Sequence, residues 1–187
     1  MEFFKQAWDS NNSEKAVKAV INITDETKLA HVAKKAHCWE ARLAAIERLN
    51  DQNVLAYIAK TDRIWNVSIV AVKKITDPSL LTDVANNAID NNVRIVAVKK
   101  LNSQNILVEI AKNNSFWDVR RAAVEKLTAP NILVEILKNE KDWGVRIEAV
   151  RNECFTDRDL LCDIAKNDPN ELVREAAVKK SKIYLDF

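Results

Sequence analysis

The chain has 187 residues, 48% of them apolar, enough to bury a core as one domain or as a short array of repeats. Its 29 basic and 27 acidic residues nearly cancel to a net charge of +2, which excludes a strong global field for nucleic acid or an anionic membrane. One glycine and three prolines exclude most strand-rich folds, whose hairpin turns depend on glycine.

The first ten residues, MEFFKQAWDS, carry neither a basic n-region nor a long apolar stretch, so no signal peptide is read there. No window in the chain is apolar for long enough to span a bilayer. Residues 2–9 are in register with a Leu-Ile helix type that recurs along the chain. Ser13 then opens a degenerate copy of a segment that returns at Trp39, Trp65, Asn91, Trp117 and Trp143, each 26 residues after the last. A final copy opens at Glu171 after 28 residues, the two extra ones falling in RNEC (151–154). Counting the opening residue as position one, position seven is alanine in all copies (Ala19, Ala45, Ala71, Ala97, Ala123, Ala149, Ala177). Position eight is β-branched throughout, from Val20 and Ile46 to Val178. Two invariant columns make the internal repeat secure.

Each unit reads as two helices. Positions three, seven, eight and eleven (Val93, Ala97, Val98 and Leu101) form one helical stripe, and Ile106, Leu107, Ile110 and Ala111 form another. Asn66, Asn92, Asp118 and Gly144 are the expected N-caps of the Val-type helix. Asp25, Asp51, Asp77, Ser103 and Asp157 are those of the Leu-Ile helix, with Pro78 and Pro130 following as first helical residues. Nineteen asparagines take over the punctuation that glycine usually supplies. A hairpin of ~10-residue helices cannot bury its own stripe, so the hairpins must stack. The expected fold is all-α, a right-handed α-solenoid of about seven antiparallel hairpins within one domain spanning 1–187. Their approximate bounds are 2–23, 26–49, 52–75, 78–101, 104–127, 130–155 and 158–185.

DPNELVREAAV (168–178) resembles the turn and second helix of a HEAT-like repeat, in which an Asp precedes Val-Arg by a fixed interval. The 26-residue unit is similar to the short bacterial leucine-rich variant repeats, and the resemblance covers essentially the whole chain. It implies concave and convex helix layers and a protein-binding or scaffolding role. Ala36, Ala88 and Asn114 depart from the turn acid, and Ser68 departs from the arginine.

Arg42, Arg94, Arg120, Arg146 and Arg174 sit in the first turn of their helices, where a cation opposes the helix dipole and needs a compensating acid or carbonyl. They are expected to form a structural ladder between repeats, with anion binding as the alternative. Trp39, Trp65, Trp117 and Trp143 are expected to act as hydrophobic staples before the N-cap, packing on the residue five later. Trp143 is the exception, because Glu148 occupies its mate's position, so it is the indole expected to meet a ligand. Position nine (Lys73, Lys99, Arg151 and their equivalents) lies opposite the stripe on a polar face of mixed sign. Lys73, Lys74, Lys99 and Lys100 form a local basic patch suited to an acidic partner. Lys73, Lys99, Trp143 and Arg151 are therefore the candidate partner-binding residues.

No catalytic constellation is legible. His31, His37 and Cys38 lack metal-ligand spacing, and there is no Gly-rich phosphate loop. Asp83, Glu109, Glu135 and Asp163 form a repeat column explained by surface pairing with the Lys or Asn three residues later. Cys38, Cys154 and Cys162 read as reduced thiols. The sequence thus points to a cytoplasmic, non-enzymatic monomer that binds a protein, with no cofactor, no metal, no membrane contact and no strong affinity for nucleic acid. The alternatives are a DNA-binding protein akin to the alkyl-base glycosylases built from HEAT-like repeats, and a structural subunit of a larger assembly.

Overall fold

In a computed structural model the chain is described over residues 7–185, with side chains through Lys182. Thirteen α-helices and no strand occur among the described residues. They are α1 (Ser13–Ile21), α2 (Glu26–Lys35), α3 (Trp39–Arg48), α4 (Gln52–Thr61), α5 (Trp65–Lys74), α6 (Pro78–Asn87) and α7 (Asn91–Lys100). There follow α8 (Gln104–Asn113), α9 (Trp117–Glu125), α10 (Pro130–Asn139), α11 (Trp143–Arg151), α12 (Arg158–Asn167) and α13 (Glu171–Leu185). Even-numbered helices are the Leu-Ile type and odd-numbered ones the Val type. The result is a helical repeat array of six complete hairpins, preceded by α1. Of the first expected hairpin (2–23), residues 2–6 lie outside the described residues, and Ala7–Asp9 form a single 3₁₀ turn.

The chain divides into two compact units, Met1–Lys100 and Leu101–Phe187. In the first, α1, α3, α5 and α7 pack side by side as one layer, with α2, α4 and α6 against them. In the second, α9, α11 and α13 form the Val-type layer. Within both, the residues at positions three, seven and eight of the inner helices are fully buried, as at Val67, Ala71 and Val72 or Val145, Ala149 and Val150. The columns fail only at the chain's ends. Lys15 takes position three in α1, where Ala19 is part-exposed, and Val178 in α13 is exposed, with no later helix against it among the described residues.

Helix starts follow two rules. Asp25, Asp51, Asp77 and Asp157 accept hydrogen bonds from amides of the first turn, as an N-cap should, and Pro78 and Pro130 open their helices. The Val-type helices begin earlier than the sequence suggested. Trp39, Trp65, Trp117 and Trp143 are each the first helical residue, so the expected caps Asn66, Asn92, Asp118 and Gly144 lie inside the first turn. Upstream oxygens cap two of these helices, Asp142 Oδ1 accepting from the amides of Gly144 and Val145 and Asp90 Oδ1 from those of Asn92 and Val93. Helices α3, α5 and α9 start without a side-chain cap.

Arg94 and Arg174 donate to the carbonyls of Asn86 and Asp168, and the other three arginines make a more specific pairing. Arg42 Nη1 donates to the carbonyl of Ala36 in its own turn at 2.9 Å, while Nε and Nη2 clasp Asp62 of the next turn at 2.7 and 3.0 Å. Arg120 repeats this with Asn114 O and Glu140, and Arg146 with Glu140 O and Asp168. Glu140 and Asp168 thus each offer a carbonyl to their own arginine and a carboxylate to the preceding one. Two departures in the first unit come in pairs. Ala16 and Ser68 stand where an arginine would, and the turns they would reach carry Ala36 and Ala88. At these two places both members of the pair are absent together.

A second ladder runs along position ten. Lys74 Nζ caps the carbonyls of Ile46 and Glu47, Arg48 those of Val20 and Ile21, and Lys100 that of Lys73. In the second unit Lys126 reaches Leu101 O and Lys180 reaches Asn152 O at 2.6 Å. Cations thereby satisfy the open carbonyls of a neighbouring helix's C-terminus. Lys74 and Lys100 are therefore committed to the frame, which removes half of the expected basic patch.

Candidate functional site

A groove of about 860 Å³ lies in the second unit, across exposed faces of α9, α11 and α13. It follows from what those helices carry outside their buried columns. Positions one and two supply Trp117, Trp143, Gly144 and Leu172, and positions five and six supply Arg121, Ile147, Glu148, Glu175 and Ala176. Position nine supplies Arg151 and Lys179, and the two-residue insertion contributes Glu153. Apolar residues thus gather along the N-terminal ends of the helices, and cations along the C-terminal ends.

The tryptophans are not staples. Being first helical residues, they cannot precede the cap, and their rings stay open, with Trp39, Trp65, Trp117 and Trp143 at 39, 56, 47 and 47% exposure. In the groove two contacts fix Trp117. The Arg121 guanidinium lies 5.5 Å from its ring centroid, a cation–π arrangement. Gly144, the chain's one glycine, admits its far edge: a Cβ there would stand 3.3 Å from Trp117 Cζ3 and 3.1 Å from Asp142 Oδ1.

The insertion closes the groove's cationic end. Asn152 takes position ten, is buried, and donates to the carbonyls of Val124 and Leu127 at 2.8 and 2.9 Å. Lys180 lies over the Phe155 ring at 5.3 Å while bonding Asn152 O, and burial pushes its ammonium below the ordinary lysine range. Arg151 and Lys179 are exposed beside it. Glu153 and Glu175 are likewise exposed.

Of the candidate residues read from the sequence, Trp143 and Arg151 line this one groove. Lys73 and Lys99 are exposed at position nine of α5 and α7 in the other unit. The acidic column also pairs differently than expected. Asp83, Glu109 and Asp163 accept from the Asn four residues later, and Lys60 and Lys112 reach Asp83 and Glu135 of the following repeat at 2.6 and 2.7 Å. Both the groove's apolar edge and the offset between arginine and acid were present in the spacing. Aligning position four with the turn 20 residues on would have revealed the second.

Among the described residues no group of three or more His, Cys, Asp or Glu side chains could hold a metal ion. None of their helices is long and apolar enough to cross a membrane. All three cysteines are free thiols; Cys38 is buried and donates to Glu40 Oε2 at 2.7 Å, and burial together with that carboxylate pushes its thiol up. The fold defines a helical repeat protein that carries this groove on its second unit. Comparison with protein-family models, with curated proteins and with solved structures finds no match.

Proposed function

We propose that the chain is a non-catalytic binding module of the HEAT-like kind, each unit wound right-handedly, which holds a segment of another protein in the groove across α9, α11 and α13. The observation that carries this reading is the combination of two half-exposed indoles with apolar neighbours and charged side chains around them. Large aromatic anchors surrounded by polar groups are the usual composition of protein hot spots. The groove's polar atoms sit on long side chains at its edge rather than converging on a buried point, unlike the polar groups of a small-molecule site. The near-neutral chain supports a protein partner over nucleic acid, and the three free thiols fit work in the cytoplasm.

Panning of a random peptide library tests the reading, with Trp143→Ala and Trp65→Ala as counter-selectors. Ligands should be recovered that Trp65→Ala still binds and Trp143→Ala does not. Recovery of ligands indifferent to Trp143, or tighter binding to an oligonucleotide than to any peptide at physiological salt, would overturn it.

A further inference from the structure

The groove's lining constrains the shape of its ligand. Its side chains are apolar or charged, with no Asn, Gln, Ser or Thr among them. Every amide and carbonyl of a chain bound in extended form needs a hydrogen-bond partner once water is excluded. Helices α9, α11 and α13 use most of their backbone groups internally, and Asp142 and Asn170 take the amides of Gly144 and Leu172. The lining offers only indole N–H groups and charged side chains besides. A ligand that satisfies its own backbone asks least of such a lining, which favours an α-helix.

The charges constrain its surface. Trp117, Trp143 and Leu172 form an apolar row at positions one and two, with Ile147 and Ala176 beside them. Arg151 and Lys179 form a row at position nine on adjacent helices, with Lys180 held in place by Asn152 and Phe155. Glu148 and Glu175 lie between these rows, and Glu153 lies at the end of α11. They repel a ligand whose carboxylates are central and admit one whose carboxylates lie over the position-nine row.

Resting on the reading of this groove as a peptide site, we propose that it seats an amphipathic helix of a partner protein, with an apolar stripe on the tryptophan row and a flanking row of carboxylates on Arg151 and Lys179. Three helices packed ~8–10 Å apart span about 20 Å, which a helix of ~14 residues covers at ~1.5 Å per residue. Apolar burial holds the ligand, and the cations set its orientation and salt dependence.

The test uses three labelled peptides of about 14 residues and fluorescence anisotropy on the full chain. One has a leucine stripe flanked by glutamates, one replaces the glutamates with lysines, and one is the acidic peptide interrupted by central prolines. The acidic peptide should bind about tenfold or more tighter than either other, and weaken as salt rises. Arg151→Glu with Lys179→Glu should invert the preference between acidic and basic peptides, with unchanged circular dichroism. Equal or tighter binding of the basic or the proline peptide would overturn the proposal. If such binding still vanishes in Trp143→Ala but survives Trp65→Ala, the peptide-site reading stands and only the ligand's chemistry is wrong. If no peptide binds, the proposal falls. Library ligands dependent on Trp143 would then preserve the broader reading, and their absence would sink both.

Discussion

The two compact units are built on one template and differ almost entirely outside its buried columns. At positions five and six the first unit carries Leu43, Ile69 and Ile95 with Ala44, Val70 and Val96, all half-buried. The second carries Arg121, Ile147 and Glu175 with Ala122, Glu148 and Ala176 at the same places. The frames differ too. The first unit drops the arginine–acid rung at Ser68 and Ala88, whereas the second keeps both of its rungs, Arg120–Glu140 and Arg146–Asp168. The comparison separates stacking from recognition. Positions three, four, seven, eight and ten hold the repeats together, leaving positions one, two, five, six and nine to vary. In the second unit those variations, one glycine and a two-residue insertion make a groove.

The sharpest way to break this comparison is at a rung. Arg146 and Asp168 are 8 and 7% exposed, so Arg146→Ala strands a buried carboxylate and should cost about 3–5 kcal/mol. Urea denaturation would measure it, and a loss within the ~0–1 kcal/mol of a surface pair would remove the ladder from the account. The missing rung offers the converse. Ser68 is 1% exposed, its Oγ donating to Asp62 O at 3.1 Å, so Ser68→Arg alone should destabilise by roughly 1–3 kcal/mol. Adding Ala88→Asp should recover much of that loss, with a coupling of about 0.5–3 kcal/mol in a double-mutant cycle. Strict additivity would show that the paired absence is coincidental.

Acid gives a smaller effect of defined sign. Burial alone would raise Glu140 and Asp168, but hydrogen bonds from Arg120 and Arg146 and from nearby amides more than offset it. Both therefore sit below their ordinary values of 4.5 and 3.8. Groups depressed on folding contribute stability that is complete above their unfolded values and lost as pH falls through the folded ones. The urea midpoint should therefore be flat above about pH 5 and drop below pH 4, and Arg146→Ala should blunt that drop. An identical acid profile for the variant would exclude the Asp168 contribution.

How much of this was readable in advance depends on the distance over which each cause acts. The period, the alternation of helix types and the Leu-Ile caps follow from local spacing, and Asp51, Asp77 and Pro78 sit where the sequence put them. The Trp starts were misplaced because Asn66, Asp118 and Gly144 resemble caps, whereas α5 and α9 start without a side-chain cap and α11 takes its capping oxygen from Asp142, before the indole. The role of Lys74 and Lys100 was hidden because their acceptors lie in the preceding repeat. Trp143 and Arg151 were singled out by sequence, one for its altered mate and one for its outward position. That they share a groove with Leu172 and Lys179 depends on the packing of α11 against α13.

The smallest expected effect is also the most local. Gly144→Ala gains up to about 1 kcal/mol of helix propensity and spends it displacing the Trp117 ring, so stability should barely change. Indole fluorescence should report an altered Trp117 environment. A large loss of stability would mean the ring cannot move and belongs to the frame.

The claim that recognition is confined to one unit's variable face is tested most directly by hydrogen–deuterium exchange of the whole chain with and without the acidic amphipathic peptide. Protection should appear in α11, α13 and the first turn of α9, while the amides of α3 and α5, with Trp39 and Trp65 at their starts, should exchange unchanged. Protection centred on α3 and α5, or none anywhere at saturating peptide, would contradict the account.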